Sequence, residues 1–297
     1  MASLKEIKAR IASVQSTLKI TSAMKLVASA KLRKAQGTLA CLKEYRDTFY
    51  ELLSVMQPYI GPLPQSGSRD EDVPFPDSDL KREHVAVVVL SSNTSLCGSY
   101  NANVVKGLKR ETDLLTGRGN RVTVFPIGEK VAKYASKIPV AVCRDYVHFD
   151  EKELKRFSDT IAARLLADFI NGTFDRIEVV YTLFHSASRH SVECDTLLPF
   201  CPSRMAVPES ADPEVFIFEP SPTEIAEAMI PTAVSVQMHE YVLSAVSSEH
   251  ASRMLAMQTA TDNATKLLAE LQLSYNKGRQ QAITEELTDI SNGKLEG

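Results

Sequence analysis

Both ends of this 297-residue chain carry an apolar stripe with alternating three- and four-residue spacing that lasts for many helical turns. Ser3 and Glu6 form an S-x-x-E capping box, and Pro58 follows the last periodic turn, so we expect one helix from about residue 3 to residue 57. Such a long stripe is typical of a coiled-coil seam. At 1.5 Å per residue the helix would be about 80 Å long. Its first apolar positions are Leu4, Ile7, Ile11, Val14 and Leu18.

The C-terminal end repeats this pattern. Ser221 and Glu224 form a second capping box with Pro222 at the first helical position, and we expect Pro231 to kink or restart the helix. Two helices that are alike in length and pattern but far apart in sequence bury their seams most simply as an antiparallel pair, with the rest of the chain inserted between them. The C-terminal stripe comprises Met254, Met257, Thr261, Ala264, Leu268, Leu271 and Tyr275.

The middle of the chain alternates strand and helix signals, which predicts an α/β domain with a largely parallel sheet. The segments with strand character are HVAVVVLSS, RVTVFPIG, IPVAVC, RIEVVYTLF, SVECDTLLPF and EVFIFEP, and those with helical spacing are NANVVKGLKRETDLL and DEKELKRFSDTIAARLLADFI. A stretch rich in proline, glycine and acids precedes them and predicts a flexible linker or an insertion. We therefore divide the chain into an N-terminal helix (1–57), a linker (58–83), the α/β domain (84–220) and a C-terminal helix (221–297).

Composition argues against several classes of protein. The chain is 44% hydrophobic and 24% charged, which is ordinary for a globular protein, and it has no run of about 18 apolar residues that could span a membrane. Its five cysteines are scattered without a C-x-x-C pair, which argues against a disulfide framework or a zinc site. His185 and His190 lie in the segment HSASRH without a carboxylate partner. We expect neither a metal nor a cofactor.

The segment VVVLSSNTSLCGSYNAN is where an enzyme of this class would bind a phosphate, because it predicts a strand, a glycine-containing turn and a helix. It has one glycine, Gly98, and neither G-x-G-x-x-G nor G-x-x-x-x-G-K-[ST], so a nucleotide cradle is not expected. Cys97 could serve as a nucleophile, but no histidine lies in the same loop. A small residue at a strand-to-helix turn is the simpler interpretation.

Charge is distributed unevenly along the chain. The first 35 residues contain eight lysines and arginines against the single acid Glu6, although the whole chain has a net charge of −3. This basic end indicates an acidic partner. Nucleic-acid binding, a transit peptide, the solvated face of a coiled coil and a protein-binding face are all compatible with the charge alone.

Three segments resemble the gamma subunit of F-type ATP synthases: IASVQSTLKITSAMKLVASAKLRKAQ at the start, SLCGSYNAN in the middle, and SSEHASRMLAMQTATDNATKLLAELQLSYNKGRQQAITEELTDI at the end. The resemblance implies a long antiparallel coiled coil of the N- and C-terminal helices with an inserted Rossmann-like α/β domain. It also implies a non-catalytic central-stalk rotor that couples proton flow through a membrane c ring to the catalytic beta subunits.

The resemblance further implies partners and a location. The partners would be the alpha and beta subunits, the epsilon subunit and the c ring, with no nucleic acid. Because the shaft motif begins close to Met1, we expect a bacterial subunit bound peripherally at the cytoplasmic face of the plasma membrane. The alternative that we retain is a nucleic-acid-binding or adaptor coiled-coil protein with a basic N-terminal helix.

Individual site residues follow only from the resemblance. It assigns contacts with the epsilon subunit and the c ring to a short segment before the C-terminal helix, which we call the foot. It assigns contacts with the beta subunits to a larger set of residues on the two helices. Asn93, Thr94 and Ser95 stand where many members have Asp-Arg-Gly, which puts a charged contact there in doubt. The foot comprises Phe216, Ile217, Phe218 and Glu219. The beta-contact set comprises Met24, Lys25, Lys31, Arg33, Lys34, Arg253, Arg279, Gln280, Thr284 and Glu286.

Overall fold

The computed structural model describes residues 3–56, 83–199 and 219–293. Backbone contacts divide the chain into two compact units. The first combines residues 1–30 with residues 253–297, and the second comprises residues 31–252. Two long helices contribute to both units: α1 (Leu4–Met56) and α5 (Pro222–Gly293). Each unit is described separately below.

Both long helices begin at the capping boxes expected from the sequence. Glu6 N donates to Ser3 Oγ at 3.2 Å while Ser3 N donates to Glu6 Oε2 at 3.1 Å, so two orphan amides at the start of α1 are satisfied. At the start of α5, Glu224 N donates to Ser221 Oγ at 3.3 Å. Of the two outcomes expected at Pro231, a kink or a restart of the helix, the restart does not occur, because α5 continues across Pro231 without a break.

In the first unit the two helices run antiparallel. Thr261 Oγ1 donates to Thr21 Oγ1 at 2.9 Å, and a methyl group added at Gly278 would lie 3.1 Å from Leu4 Cδ2. Leu4, at the start of α1, thus lies by Gly278, whereas Thr21, farther along α1, lies by Thr261, which comes earlier in α5. Contacts that advance along α1 while they go back along α5 define an antiparallel register. The predicted pairing of the two ends of the chain is therefore confirmed.

The second unit is built on a five-stranded sheet in the order β3-β2-β1-β4-β5. All neighbouring strands are parallel except β4 and β5, which are antiparallel, so the predicted mostly parallel sheet is confirmed. In chain order the elements are β1 (His84–Leu90), α2 (Tyr100–Gly117), β2 (Arg121–Ile127), α3 (Glu129–Ala135), β3 (Ala141–Val142), α4 (Leu154–Ile170), β4 (Arg176–Phe184) and β5 (His190–Leu198).

The sheet is covered on both faces, which explains why β1 is apolar from Val85 to Leu90. Its even-numbered residues, Ala86, Val88 and Leu90, join a core that also contains α4 and α5 side chains. Its odd-numbered residues, Val85, Val87 and Val89, join a second core beneath α2. Alternating side chains of one strand thus hold helices on opposite faces of the sheet.

Two details differ from the sequence-based expectation. Helix α3 was not anticipated, and β3 is only two residues long although IPVAVC predicts a full strand. The predicted strand EVFIFEP lies outside the described residues except for its final Glu219 and Pro220. Short edge elements carry too few apolar residues for a periodicity argument to detect them.

Candidate partner-binding surfaces

In the first unit, three of the expected contact residues lie near one level of the helix pair. Met24, Lys25 and Arg253 are all half-buried. Thr21 lies opposite Thr261, and this register places Lys25 and Arg253 about one helical turn apart along the pair. The structure therefore brings these three residues to neighbouring levels of the antiparallel pair.

The other expected residues of the first unit lie farther along α5. Arg279, Gln280, Thr284 and Glu286 are all exposed. Thr284 Oγ1 donates to the Gln280 carbonyl at 2.9 Å, a bond within the helix that leaves the outer surface of this segment accessible. Gly278 faces Leu4, and α5 continues for another 15 residues, from Arg279 to Gly293. These polar residues thus lie on the extension of α5 past its contact with Leu4.

In the second unit, the basic residues of α1 behave differently from one another. Arg33 and Lys34 are exposed and make no ion pair with any residue that the structure describes. Lys31 Nζ lies 2.7 Å from Glu151 Oε2, and His250 Nε2 lies 3.5 Å from the same oxygen. Hydrogen bonds from His250 and Lys31 lower the pKa of Glu151 to about 2. Lys31 is therefore already paired within the chain.

The predicted foot is represented by one residue. Glu219 is exposed and lies three positions before Pro222, the first residue of α5. Phe216, Ile217 and Phe218 lie outside the described residues.

The turn between β1 and α2 is a compact hydrogen-bonded loop. The side-chain nitrogen of Asn101 lies 2.8 Å from Ser92 Oγ and 3.0 Å from Cys97 Sγ, and Asn93 donates to the Phe149 carbonyl at 3.2 Å. Cys97 is only 2% exposed. Gly98 has a positive φ of 58°. These contacts give Cys97 and Asn101 a structural role in closing the turn.

Among the described residues, one group has the spacing of metal ligands. Oxygen atoms of Glu111 and Glu178 and the sulfur of Cys194 all lie within 4.8 Å of one another. Arg176 Nε lies 3.3 Å from Glu178 Oε1 and supplies a positive charge beside the group. Burial raises the pKa of both Glu178 and Cys194, which favours their protonated forms over metal-ligating anions.

Sequence periodicity missed a polar surface of α5 that is buried in the second unit. Ser244 Oγ accepts from the Phe184 amide at 2.9 Å and donates to the Thr182 carbonyl at 3.2 Å, and Ser248 Oγ donates to the same carbonyl. His239 Nδ1 lies 3.1 Å from Ser158 Oγ, and burial lowers the pKa of His239 to about 4. The available signal was the segment SAVSSEHAS, in which four serines stand beside only one charged residue, Glu249.

No helix in the described ranges combines the length and apolarity needed to cross a membrane.

Solved structures share the fold. The chain superimposes on one from the Euglena gracilis mitochondrial ATP synthase OSCP/F1/c-ring with a TM-score of 0.58, at 16% identity, covering 98% of this chain and 93% of the other. A chain of the Tetrahymena thermophila mitochondrial ATP synthase central stalk/c-ring gives a TM-score of 0.54 at 21% identity, covering 81% and 99%.

Sequence comparisons extend over the whole length. The family profile described as ATP synthase matches residues 3–294. The ATP synthase gamma chain of Flavobacterium johnsoniae is 38% identical over 294 residues, covering 99% of this chain and 98% of its own. That of Bacteroides thetaiotaomicron is 37% identical over 310 residues and is covered completely. With matches of this identity from end to end, the chain belongs to the ATP synthase gamma chain family.

Proposed function

We propose that this chain is the central-stalk rotor subunit of an F-type ATP synthase, which couples proton flow through a membrane c ring to the conformational cycle of the catalytic beta subunits. The observation that carries the proposal is the antiparallel pairing of the two ends of the chain, with Thr21 against Thr261 and Leu4 against Gly278. Solved relatives of the same fold are described as parts of central stalk/c-ring and OSCP/F1/c-ring assemblies.

A two-helix rod suits the transmission of torque. A single helix in water is marginal and bends easily, whereas a packed pair shares a continuous apolar seam. In the first unit this seam includes Ala28, Met257 and Ala264, each 8% exposed or less, while most neighbouring residues face solvent. An exposed, mixed surface around a narrow seam allows rotation against a surrounding ring without permanent adhesion.

The chain itself is proposed to be non-catalytic. The β1–α2 turn has no glycine-rich phosphate cradle, and Cys97 is enclosed in the turn with Asn101 as its nearest polar neighbour. We expect calorimetry to show no micromolar binding of ATP by the purified chain. Micromolar binding that is abolished by Gly98→Val would contradict the proposal and favour a nucleotide-binding enzyme.

The beta-contact residues are proposed to act by electrostatic guidance. Exposed Arg33 and Lys34 of the second unit, and Lys25 of the first, can meet acidic loops of beta subunits. Exposed ion pairs contribute little net affinity, about 0 to 1 kcal/mol each, but they set register and the rate of encounter. Arg279, Gln280, Thr284 and Glu286 are proposed contacts on the α5 extension, and Lys31 and Arg253 complete the set.

The proposed foot contacts are Glu219 together with Phe216, Ile217 and Phe218, directed at the epsilon subunit and the c ring. We propose that the chain lies peripherally at the cytoplasmic face of a bacterial plasma membrane. None of the comparisons supports the nucleic-acid-binding or adaptor alternative, and tight, sequence-selective binding of DNA or RNA at physiological salt would contradict the rotor role.

The test is purification of the tagged full chain from its native membrane. We expect one copy to accompany three alpha and three beta subunits, together with epsilon and the c ring, by quantitative mass spectrometry. Arg33→Gln with Lys34→Gln should lower coupled proton pumping while the assembly persists. The matched control is Lys43→Gln, which removes a charge from another exposed position of α1. Recovery of the chain without alpha and beta subunits would refute the proposal.

A further inference from the structure

A pocket of about 290 Å³ lies between α2 and the antiparallel strands β4 and β5 in the second unit. One wall is a stripe of α2 residues spaced as on one face of a helix: Asn103, Lys106, Gly107 and Arg110. The opposite wall is formed by Thr182, His190 and Val192, and Thr182 is the register partner of Val192. Two walls from regular elements make a preformed cavity, at the lower end of the size range of small-molecule sites.

Gly107 is what permits the close approach of the two walls. A methyl group added at Gly107 would lie 2.6 Å from Val192 Cγ1, which is closer than carbon atoms can pack. The helix therefore lies against β5 at this level, while the longer side chains on either side of Gly107 border the open volume. The pocket is a consequence of this local contact.

The charge of the pocket is positive. Lys106 and Arg110 are one helical turn apart on α2, and both are exposed. Neither forms an ion pair with any described residue, and no aspartate or glutamate lines the pocket. The nearest acid along α2, Glu111, instead lies with Glu178 and Cys194. Two unneutralised cations at the mouth of a cavity attract an anion.

Two polar atoms in the sheet wall lack partners among the described residues. Thr182 is 1% exposed, and its Oγ1 makes no hydrogen bond. His190 Nε2 lies 3.1 Å from Ser252 Oγ, whereas the buried Nδ1 has no partner. With its proton on Nδ1, His190 would accept from Ser252 and keep one donor for a ligand. A buried donor without a partner costs free energy, which a bound acceptor would recover.

We propose that this pocket binds a small organic oxyanion, a phosphate monoester or a carboxylate, with Arg110 and Lys106 holding the anionic group and Thr182 and His190 donating hydrogen bonds. Arginine provides a planar fork that matches phosphate and carboxylate oxygens. The volume exceeds the needs of an inorganic phosphate, so part of the ligand is a carbon skeleton that packs against Val192. This function is independent of the rotor role.

The test is titration of the purified full chain with glycerol 3-phosphate and with inorganic phosphate. The chain has six histidines, so selective ¹⁵N-histidine labelling gives a simple spectrum in which the ring nitrogens of His190 should shift on binding. Calorimetry of the same samples gives the affinity. Arg110→Gln should weaken binding at least about tenfold, and Thr182→Val about threefold or more.

The matched control is Lys109→Gln, which removes a charge from the neighbouring exposed position of α2 outside the pocket. We expect its affinity to stay within about twofold of the parent chain, since exposed charges away from the ligand are screened by salt. Equal weakening by Lys109→Gln and Arg110→Gln would overturn the proposal, because it would indicate a diffuse charge effect. Absence of saturable binding of either probe, or binding that leaves His190 unshifted, would also overturn it.

Discussion

The same two helices lie in contrasting environments in the two units. In the first, burial is confined to a narrow stripe, so that Ala264 is buried while Thr265, Lys266 and Leu267 are exposed. In the second, every α5 residue from Tyr241 to Ser252 is buried. One continuous helix therefore serves as half of a two-helix rod in one unit and, over residues 241–252, as a fully buried core element in the other.

The difference shows why one periodic pattern has two structural meanings. A helix with a single partner needs one apolar stripe, whereas a helix enclosed on all sides must satisfy most of its polar side chains internally. In the second unit Ser244, Ser248 and His239 are each hydrogen-bonded to an element of the α/β domain, while the buried Ser247 Oγ has no partner among the described residues. We therefore expect the stability of the first unit to depend on the seam between α1 and α5, and the stability of the second unit to depend on its buried core.

The largest expected effect is a helix break in the first unit. Ala264→Pro removes a backbone hydrogen bond and clashes with the preceding turn, at a cost of about 3 kcal/mol or more. Because α1 and α5 bury their seams against each other, hydrogen exchange should rise in both residues 4–30 and residues 253–293. Strands β1 and β4 should stay protected, since they have their own core.

Ala264→Ser is the matched control, because it adds one hydroxyl group at the same position without removing the backbone donor. Its exchange pattern should stay close to that of the parent chain. If exchange rises in α5 alone while α1 stays protected, the two helices do not share a seam. The proposed contrast between a seam-stabilised first unit and a core-stabilised second unit would then be wrong.

A truncation in the core of the second unit should have the next largest effect. Met238 is fully buried, and Met238→Ala should lower the free energy of unfolding by roughly 2 to 3 kcal/mol through lost burial and a cavity. Leu273→Ala provides the contrast, because Leu273 is 70% exposed on α5 in the first unit and should change stability by about 0.5 kcal/mol or less. Urea denaturation followed by circular dichroism measures both. If Met238→Ala and Leu273→Ala lower the free energy of unfolding by similar amounts, the contrast between a buried α5 in the second unit and a largely exposed α5 in the first would be wrong.

The sequence predicted the parts of the fold that rest on long periodic patterns. Helices α1 and α5 and the four longer strands β1, β2, β4 and β5 follow from apolar patterns that extend over several residues, and the starts of the two helices follow from their S-x-x-E motifs. The helix does not restart at Pro231, because a proline can be tolerated inside a helix when tertiary packing supplies the missing interactions. Helix α3 and the two-residue β3 were too short to leave a periodic signal.

The candidate surfaces were less predictable than the fold. Nothing in the local sequence distinguishes Lys31 from Arg33, yet Lys31 pairs with Glu151, which is 120 positions away in the chain. The pocket beneath α2 depends on the register between Thr182 and Val192, which a single sequence does not specify. Long-range contacts of this kind are set by topology, so residue type alone could indicate only that a basic surface exists.

The smallest expected effect concerns Glu151, which joins Lys31 of α1 and His250 of α5 within the second unit. Its pKa in the folded chain is about 2, below the ordinary value of 4.5. A carboxyl whose pKa is lowered by folding stabilises the folded state above its unfolded pKa, and this contribution is lost as the pH falls from about 4.5 towards 2. Because the Glu151 side chain is 36% exposed and therefore screened by solvent, we expect about 1 kcal/mol or less.

Glu151→Gln tests this directly. At pH 6 the variant should be less stable than the parent chain in urea denaturation, and the gap should close as the pH falls towards 2, because the parent then loses the same charge. Added salt should narrow the gap at pH 6. Glu153→Gln is the matched control, since Glu153 is an exposed neighbour that lies 3.6 Å from the exposed Arg156. A stability gap that is independent of pH would mean that Glu151 acts through packing, and the second unit would then owe its rigidity to its apolar core and buried serines alone.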